Sequence, residues 1–330
     1  MMTIAMSGGT RMRIMIIGAG SLGLLFAAKL SALCEHLTVI ARTKEQADQL
    51  VQEGIKLGGT TEPHRTTRGG FIEFSHYQED KESVATATAP VHPYDYIFLM
   101  VKQPAITKEL VQYIDSRRSE ITYLVSFQNG IGHEADLSEN DRGNKLLLAV
   151  TTEGARRESP TEVSHTGHGV TYIGASNCTD PDHKKSTHFL LVNLLEEAGF
   201  RAEMSKNMEV RIWSKLIINA VINPLTAILH VKNGELLEST WTKELMFDLY
   251  REACFLAEAK DIKLPDALWQ TIITVCEATS RNHSSMLQDI EQSRPTEIDR
   301  INGSLLQMAD ELNLELPTHR TVYRLVKALE

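Results

Sequence analysis

Short β-branched runs alternate with stretches of helical periodicity from Arg13 onward. Arg13–Ile17, Leu37–Ala41, Tyr96–Val101, Thr122–Ser126 and Lys145–Val150 read as strands, with helical patterns between several of them. That rhythm predicts an α/β fold, a Rossmann-type doubly wound parallel sheet. Between Gly58 and Pro93 the pattern weakens into TTEPHRTTRGG and ESVATATAPVHP, read as loops around a short edge strand at Phe71–Phe74. EVSHTGHGVTYIG, from Glu162 to Gly174, alternates like a hairpin, and Lys184–Gly199 reads as one more helix.

After Lys206 the strand signals vanish. Glu209–Ile222, Trp241–Lys260, Pro265–Arg281, Thr296–Asn313 and Pro317–Ala328 are helical by period and length, which predicts an all-α C-terminal domain. The expected organisation is a disordered leader at 1–11, a dinucleotide-binding domain at 12–205 and a helical substrate-binding domain at 206–330.

Composition narrows the partners. The 330 residues carry 34 Lys+Arg against 43 Asp+Glu, a formal charge of −9, the wrong sign for coating nucleic acid or an anionic membrane. A phosphate-bearing ligand must therefore be held locally. Cys34, Cys178, Cys254 and Cys276 lie far apart with no CxxC, so neither a disulfide framework nor a zinc-finger site is indicated, and a cytoplasmic location fits. Arg11 and Arg13 before the apolar run Ile14–Ala28 imitate a secretion signal, but Gly18, Gly20, Ser21 and Gly23 punctuate it and no cleavage pattern follows. No transmembrane helix is expected. The oligomeric state, monomer or homodimer, stays open.

The first chemical motif is Gly18-Ala19-Gly20-Ser21-Leu22-Gly23, directly after the strand RIMII and opening a helix. Its glycines suit a tight turn, close approach of backbone to a pyrophosphate, and tight helix–strand packing, with phosphates facing the helix N-terminus. Where an NAD-preferring protein carries an acidic residue for the ribose 2′-hydroxyl, the strand LTVIA ends in Arg42. A guanidinium suits a 2′-phosphate, so NADPH/NADP+ is expected, although an arginine at a strand end is also a common surface feature. Lys102 and Asn129 fall after successive strands, where ligands of open α/β sheets bind.

The second constellation is Lys215, Asn219 and Asn223, spaced i, i+4, i+8 and so forming one narrow helical stripe. Such a stripe also suits a solvated face. The helix around it is apolar nearly all round, however, and a buried lysine and two amides need partners such as a substrate bearing a carboxylate and a carbonyl. Glu297 follows Thr296, and Thr296 with Asp299 matches a capping box; an acid there also serves the helix dipole without further role. Ser284–Asp289 either binds substrate or begins a helical turn. The 12 histidines show no HExxH, His64, His76 and His92 fall in expected loops, and no metal site is read.

With these pieces placed, the chain from Met12 to Leu329 resembles the ketopantoate reductase (2-dehydropantoate 2-reductase) family. The resemblance rests on GAGSLG at 18–23, QNG at 128–130, ARR at 155–157, RIWSKLIINAVINPLTAILHVKNGEL at 211–236 and SSMLQDIEQSRPTEIDRINGSLL at 284–306. It implies NADPH-dependent reduction of the small-molecule substrate 2-dehydropantoate to (R)-pantoate, with Lys215 as proton donor and Glu297 working beside the lysine and cofactor; a related 2-oxo acid reductase of the same fold and a non-catalytic NADP(H)-binding sensor are the alternatives. It implies substrate contacts from Asn219, Asn223, Asn233 and Ser285. It places Arg42 and Lys102 near the adenosine 2′-phosphate and Asn129 and Ala155 along the cofactor. Residues 1–11 and the region 58–93 have no clear family counterpart.

Overall fold

The computed structural model describes residues 12–60, 62–86, 93–138, 145–175 and 185–330. The leader read at 1–11, His92 and Cys178 lie outside the described residues. The chain divides into two compact units: one runs to Gln128 and resumes at Asp136–Ser205, and the other comprises Asn129–Ala135 and Lys206–Glu330. The second unit thus claims a seven-residue piece of the stretch expected to belong wholly to the dinucleotide-binding domain, because Ile131 packs into the helical core.

The first unit runs β1 (Arg13–Ile17), α1 (Ser21–Ser31), β2 (His36–Ala41), α2 (Lys44–Glu53), β3 (Lys56–Leu57), β4 (Glu73–His76), α3 (Tyr77–Thr86) and β5 (Tyr96–Leu99). It continues through α4 (Lys108–Arg117), β6 (Tyr123–Ser126), α5 (His133–Ser138, begun in the other unit), β7 (Leu146–Thr151), β8 (Gly154–Arg157) and β9 (Glu162–Gly167). It closes with β10 (Thr171–Ala175), α6 (Lys185–Glu197) and β11 (Ala202–Met204). Eight strands form one sheet in the order β11-β10-β7-β6-β5-β1-β2-β4. All neighbours are parallel except β10 against β7. Strands β5 and β7 are buried along their whole length, as a parallel sheet covered on both faces requires. Strand order reverses between β1 and β5, the switch point outside which ligands of such sheets bind.

Two expectations fail here. The stretch Glu162–Gly174 is no hairpin: β9 pairs antiparallel with β8 and parallel with β3 in a separate three-stranded sheet, while β10 joins the main one. Gly167, His168 and Gly169 break the alternation, and Gly169 backs onto Thr152, where a Cβ would meet the Thr152 carbonyl carbon at 2.3 Å. The region 58–93 holds a helix, α3, besides the edge strand; that strand lies at Glu73–His76, two residues beyond its expected start. Helix α3 was hidden because its sequence, YQEDKESVAT, has almost no apolar stripe.

The second unit is helical: α7 (Met208–Leu229), α8 (Thr240–Ala259), α9 (Leu268–Ala278), α10 (Ser285–Glu291), α11 (Asn302–Glu311) and α12 (Pro317–Leu329), with 3₁₀ turns at Asn233–Leu237 and Ile298–Arg300. Helix α7 is long and apolar enough to cross a membrane by length and composition, yet 61% of that window is buried in the core of this unit. Pro224 inside α7 cannot donate to the Ala220 carbonyl. The buried Asn302 amide supplies that bond instead, Nδ2 donating to Ala220 O at 3.0 Å and lying 3.0 Å from His319 Nδ1. The helix therefore passes through its proline without a break and runs on to Leu229, the polar stripe ending at Asn223 just before the proline.

Candidate active site

The glycine motif lies on the loop from β1 into α1. Gly18 sits at φ +115°, a conformation side chains rarely adopt, and a Cβ there would meet the Met100 backbone at 2.8 Å. A Cβ on Gly23 would fall 1.8 Å from the Gly18 carbonyl oxygen, so the helix can rest on the loop only without a side chain. Gly20 differs: its Cβ would meet nothing within 4 Å. Gly20 also starts α1, which has no side-chain N-cap bond and no acidic residue in its first turn. A surface of backbone N–H groups at a helix N-terminus, open at Gly20, fits a pyrophosphate.

The surroundings hold that loop rigid. Ala19 is buried, and its carbonyl accepts from Gln46 Nε2 at 2.8 Å and Arg157 Nη1 at 3.5 Å. Ser21 Oγ accepts from the Arg157 backbone N–H at 3.2 Å, and Leu22 packs against the core. Arg42, one residue beyond β2, is exposed. Lys102 is also exposed and lies three residues beyond β5, which ends at Leu99 rather than at Val101. Ala155 pairs with His165 between β8 and β9. Sequence reasoning missed the role of Gln128: its amide donates to the Leu99 and Val101 carbonyls at 2.9 and 3.0 Å, tying the end of β6 to that of β5.

The second unit carries the ionisable groups. Lys215 and Asn219 are partly buried and Asn223 is buried, all on one stripe of α7. Burial pushes the Lys215 ammonium down to about 8, against the opposing pull of the Glu297 charge. Glu297 is itself buried, and its Oε2 accepts from Asn129 Nδ2 at 3.2 Å. An acid, a lysine tuned toward neutrality and an amide that orients the acid are thus gathered from three distant places in the chain.

The helix expected over Thr296–Asn313 is broken. Ile301 leaves helical geometry (φ −103°, ψ −86°), so Glu297 precedes a 3₁₀ turn rather than lying in the first turn of a long helix. The capping box does not form. Thr296 Oγ1 donates to Glu330 Oε1 at 2.6 Å and accepts from Ile298 N–H at 3.1 Å, while Asp299 accepts from Tyr323 Oη at 2.6 Å. Glu297 is therefore not used up in capping.

Ser284, not Ser285, caps α10, accepting from Leu287 N–H at 3.0 Å and from Thr226 Oγ1 of α7 at 2.7 Å. Ser285 beside it is exposed. Asn233 is buried, its Nδ2 donating to Thr279 Oγ1 at 2.8 Å, and its Oδ1 has no hydrogen-bond partner among the described residues. A buried acceptor left open in this way suits a hydroxyl or ammonium donor from outside the chain.

Comparison with known proteins matches residues 14–177 to the ketopantoate reductase PanE/ApbA family model and 207–330 to the ketopantoate reductase PanE/ApbA C-terminal model. A 2-dehydropantoate 2-reductase of Listeria innocua is 34% identical over 96% of each chain. A solved structure of a probable 2-dehydropantoate 2-reductase from Bacillus subtilis is 32% identical, covers 97% of this chain and 100% of its own, and superposes with a TM-score of 0.75. The ternary structure of a D-mandelate dehydrogenase with NADH and anilino(oxo)acetate is 25% identical, covers 96% of this chain and 98% of its own, and has a TM-score of 0.80.

Proposed function

The chain belongs to the ketopantoate reductase family, and from that premise we propose that it reduces 2-dehydropantoate to (R)-pantoate with NADPH, a step of pantothenate and coenzyme A biosynthesis. The observation that carries this reading is Lys215, held at about 8 beside Glu297 on a stripe shared with Asn219 and Asn223.

The nicotinamide cofactor, when bound, supplies a hydride to the keto carbon. The glycine loop and the α1 N-terminus would hold its pyrophosphate, with Arg42 and Lys102 as cations for a 2′-phosphate. The Lys215 ammonium would stabilise the negative charge that develops on the keto oxygen and give up a proton to that oxygen. A lysine near 8 suits this role, being mostly protonated at neutral pH yet parting with its proton far more readily than an ordinary lysine. Asn219 and Asn223, one and two turns along, orient the substrate carboxylate and hydroxyl, with Asn233 and Ser285 as further polar contacts. Glu297, aligned by Asn129, keeps the lysine charged and accepts from the substrate hydroxyl.

The test is NADPH oxidation by purified protein, with 2-dehydropantoate run beside 2-oxoisovalerate and phenylglyoxylate, and NADH beside NADPH. Turnover highest with 2-dehydropantoate and NADPH is expected. A clear preference for an aryl 2-oxo acid with NADH would move the assignment to a sister activity on the same fold, and NADPH binding without turnover of any substrate would make the protein a sensor.

A further inference from the structure

Away from the glycine loop and Lys215, the first unit gathers three ligand-bearing side chains for which the proposed reaction has no use. We propose that Glu153, His165 and His168 form a binding site for a divalent late first-row transition-metal ion, of which zinc is the best match. Their ligand atoms all lie within 4.8 Å of one another. Glu153 Oε2 and His165 Nε2 are 2.6 Å apart, and the His168 ring meets that of His165 at 4.2 Å between centroids. Two imidazoles and one carboxylate form the three-ligand set of open zinc sites, with a fourth position left for water. Sequence reading passed over the set because the H-x-x-H pair has its carboxylate on another strand connection.

The frame is built before any ion arrives. His165 lies in β9, and Glu153 stands in the two-residue connection between β7 and β8. The turn bearing His168 is pinned beside Glu153: Thr152 N–H donates to Val170 O at 3.0 Å, and Val170 N–H to Thr152 Oγ1 at 2.9 Å. Gly154 and Gly167 lie face to face, since a Cβ on Gly154 would meet Gly167 N at 2.9 Å. The side chain of Glu153 is 1% exposed and that of His165 10%, whereas His168 is exposed, so the site has a closed floor and one open side for entry.

In tetrahedral geometry, ligands about 2.0–2.1 Å from zinc stand about 3.3 Å apart. The Glu153–His165 contact must open by about 0.7 Å, exchanging the proton it shares for the ion, and His168 must close inward by rotation of an exposed side chain. Both imidazoles must be neutral to bind, which makes protons the competitor.

The experiment is calorimetric titration of zinc chloride into the full-length, chelator-treated protein at pH 7.5, with His168→Ala and Glu153→Gln alongside. The exposed His168 can be replaced without loss of folding, and that variant keeps the Glu153–His165 pair, so a purely structural ion pair would leave it unaffected. One zinc per chain is expected, weakened at least about tenfold in each variant. The thermal midpoint should rise with added zinc in the wild type and not in H168A. Cobalt(II) added in place of zinc should give the intense visible bands of a four-coordinate site. No zinc uptake at 100 µM, or equal affinity in H168A, overturns the proposal.

Discussion

If Lys215 is the proton donor, the rate must follow its protonated fraction. With the ammonium at about 8 instead of 10.5, about nine-tenths is charged at pH 7, half at pH 8 and about one-eleventh at pH 9. Measured at saturating NADPH, kcat/KM for the keto acid should be level below pH 7.5 and fall tenfold per pH unit well above 8. An unperturbed lysine would keep its plateau to beyond pH 10. Glu297 acts in the opposite sense to burial, its negative charge raising the lysine. Glu297→Gln keeps the size and the contact with Asn129 but removes the charge, and loss of a close opposite charge moves such a group by about 1–3 units. The limb should then drop by about one unit, to near pH 7. On this effect alone the variant loses about twofold at pH 7 and about tenfold at pH 9, a pH-dependent ratio that simple loss of substrate contact would not give. A limb that stays at 8 or moves upward in E297Q, or a wild-type profile flat to pH 10, would refute the reasoning.

Three further outcomes follow from the same contacts. Lys215→Met should lower kcat by about 10²–10⁴-fold and yet stabilise the fold: the native lysine is depressed, so its burial penalty is full below pH 8 and relieved above 10.5, with an upper limit of about 3 kcal/mol given its partial exposure. Steady-state turnover checks the first part, and denaturant midpoints at pH 7 and pH 10.5 the second, since only the wild type should gain stability from this group across that range. Arg42→Ala should raise KM for NADPH by about 10–100-fold while leaving NADH nearly unchanged, as expected for loss of a charge-assisted bond; equal losses with both cofactors would remove Arg42 from the 2′-phosphate. Asn302→Leu strips the Ala220 carbonyl of the donor that Pro224 cannot provide and should cost about 1–3 kcal/mol, read as a lower urea midpoint; an unchanged midpoint would mean α7 tolerates the orphan.

What the sequence discloses is what local rules control. The glycine loop is legible because each glycine answers a constraint within a few residues, the Gly18 turn and the Gly23–Gly18 approach among them. The Lys215–Asn219–Asn223 stripe is legible because helical periodicity fixes it. Long-range pairing is not disclosed in this way. Whether β9 joins β8 or β10 depends on partners far along the chain, and the alternation of EVSHTGHGVTYIG suits either. Glu297 is bonded to Asn129, 168 positions away, and local capping grammar gave the wrong account of its neighbours, because Thr296 turns instead to the carboxylate of Glu330.

The assignment of Asn129–Ala135 to the helical unit bears on how such a protein could be divided or recombined. The backbone passes from one unit to the other three times, after Gln128, Ala135 and Ser205, so no single cut separates them. A fragment beginning at Lys206 would keep the lysine and the acid but lose the amide that orients the acid. Exchange of substrate modules between relatives by recombination at a single junction near Ser205 would leave each hybrid with Asn129 from one parent and Glu297 from the other. Only lineages in which that pair stayed compatible could have tolerated it, so the unit of inheritance here is larger than either half.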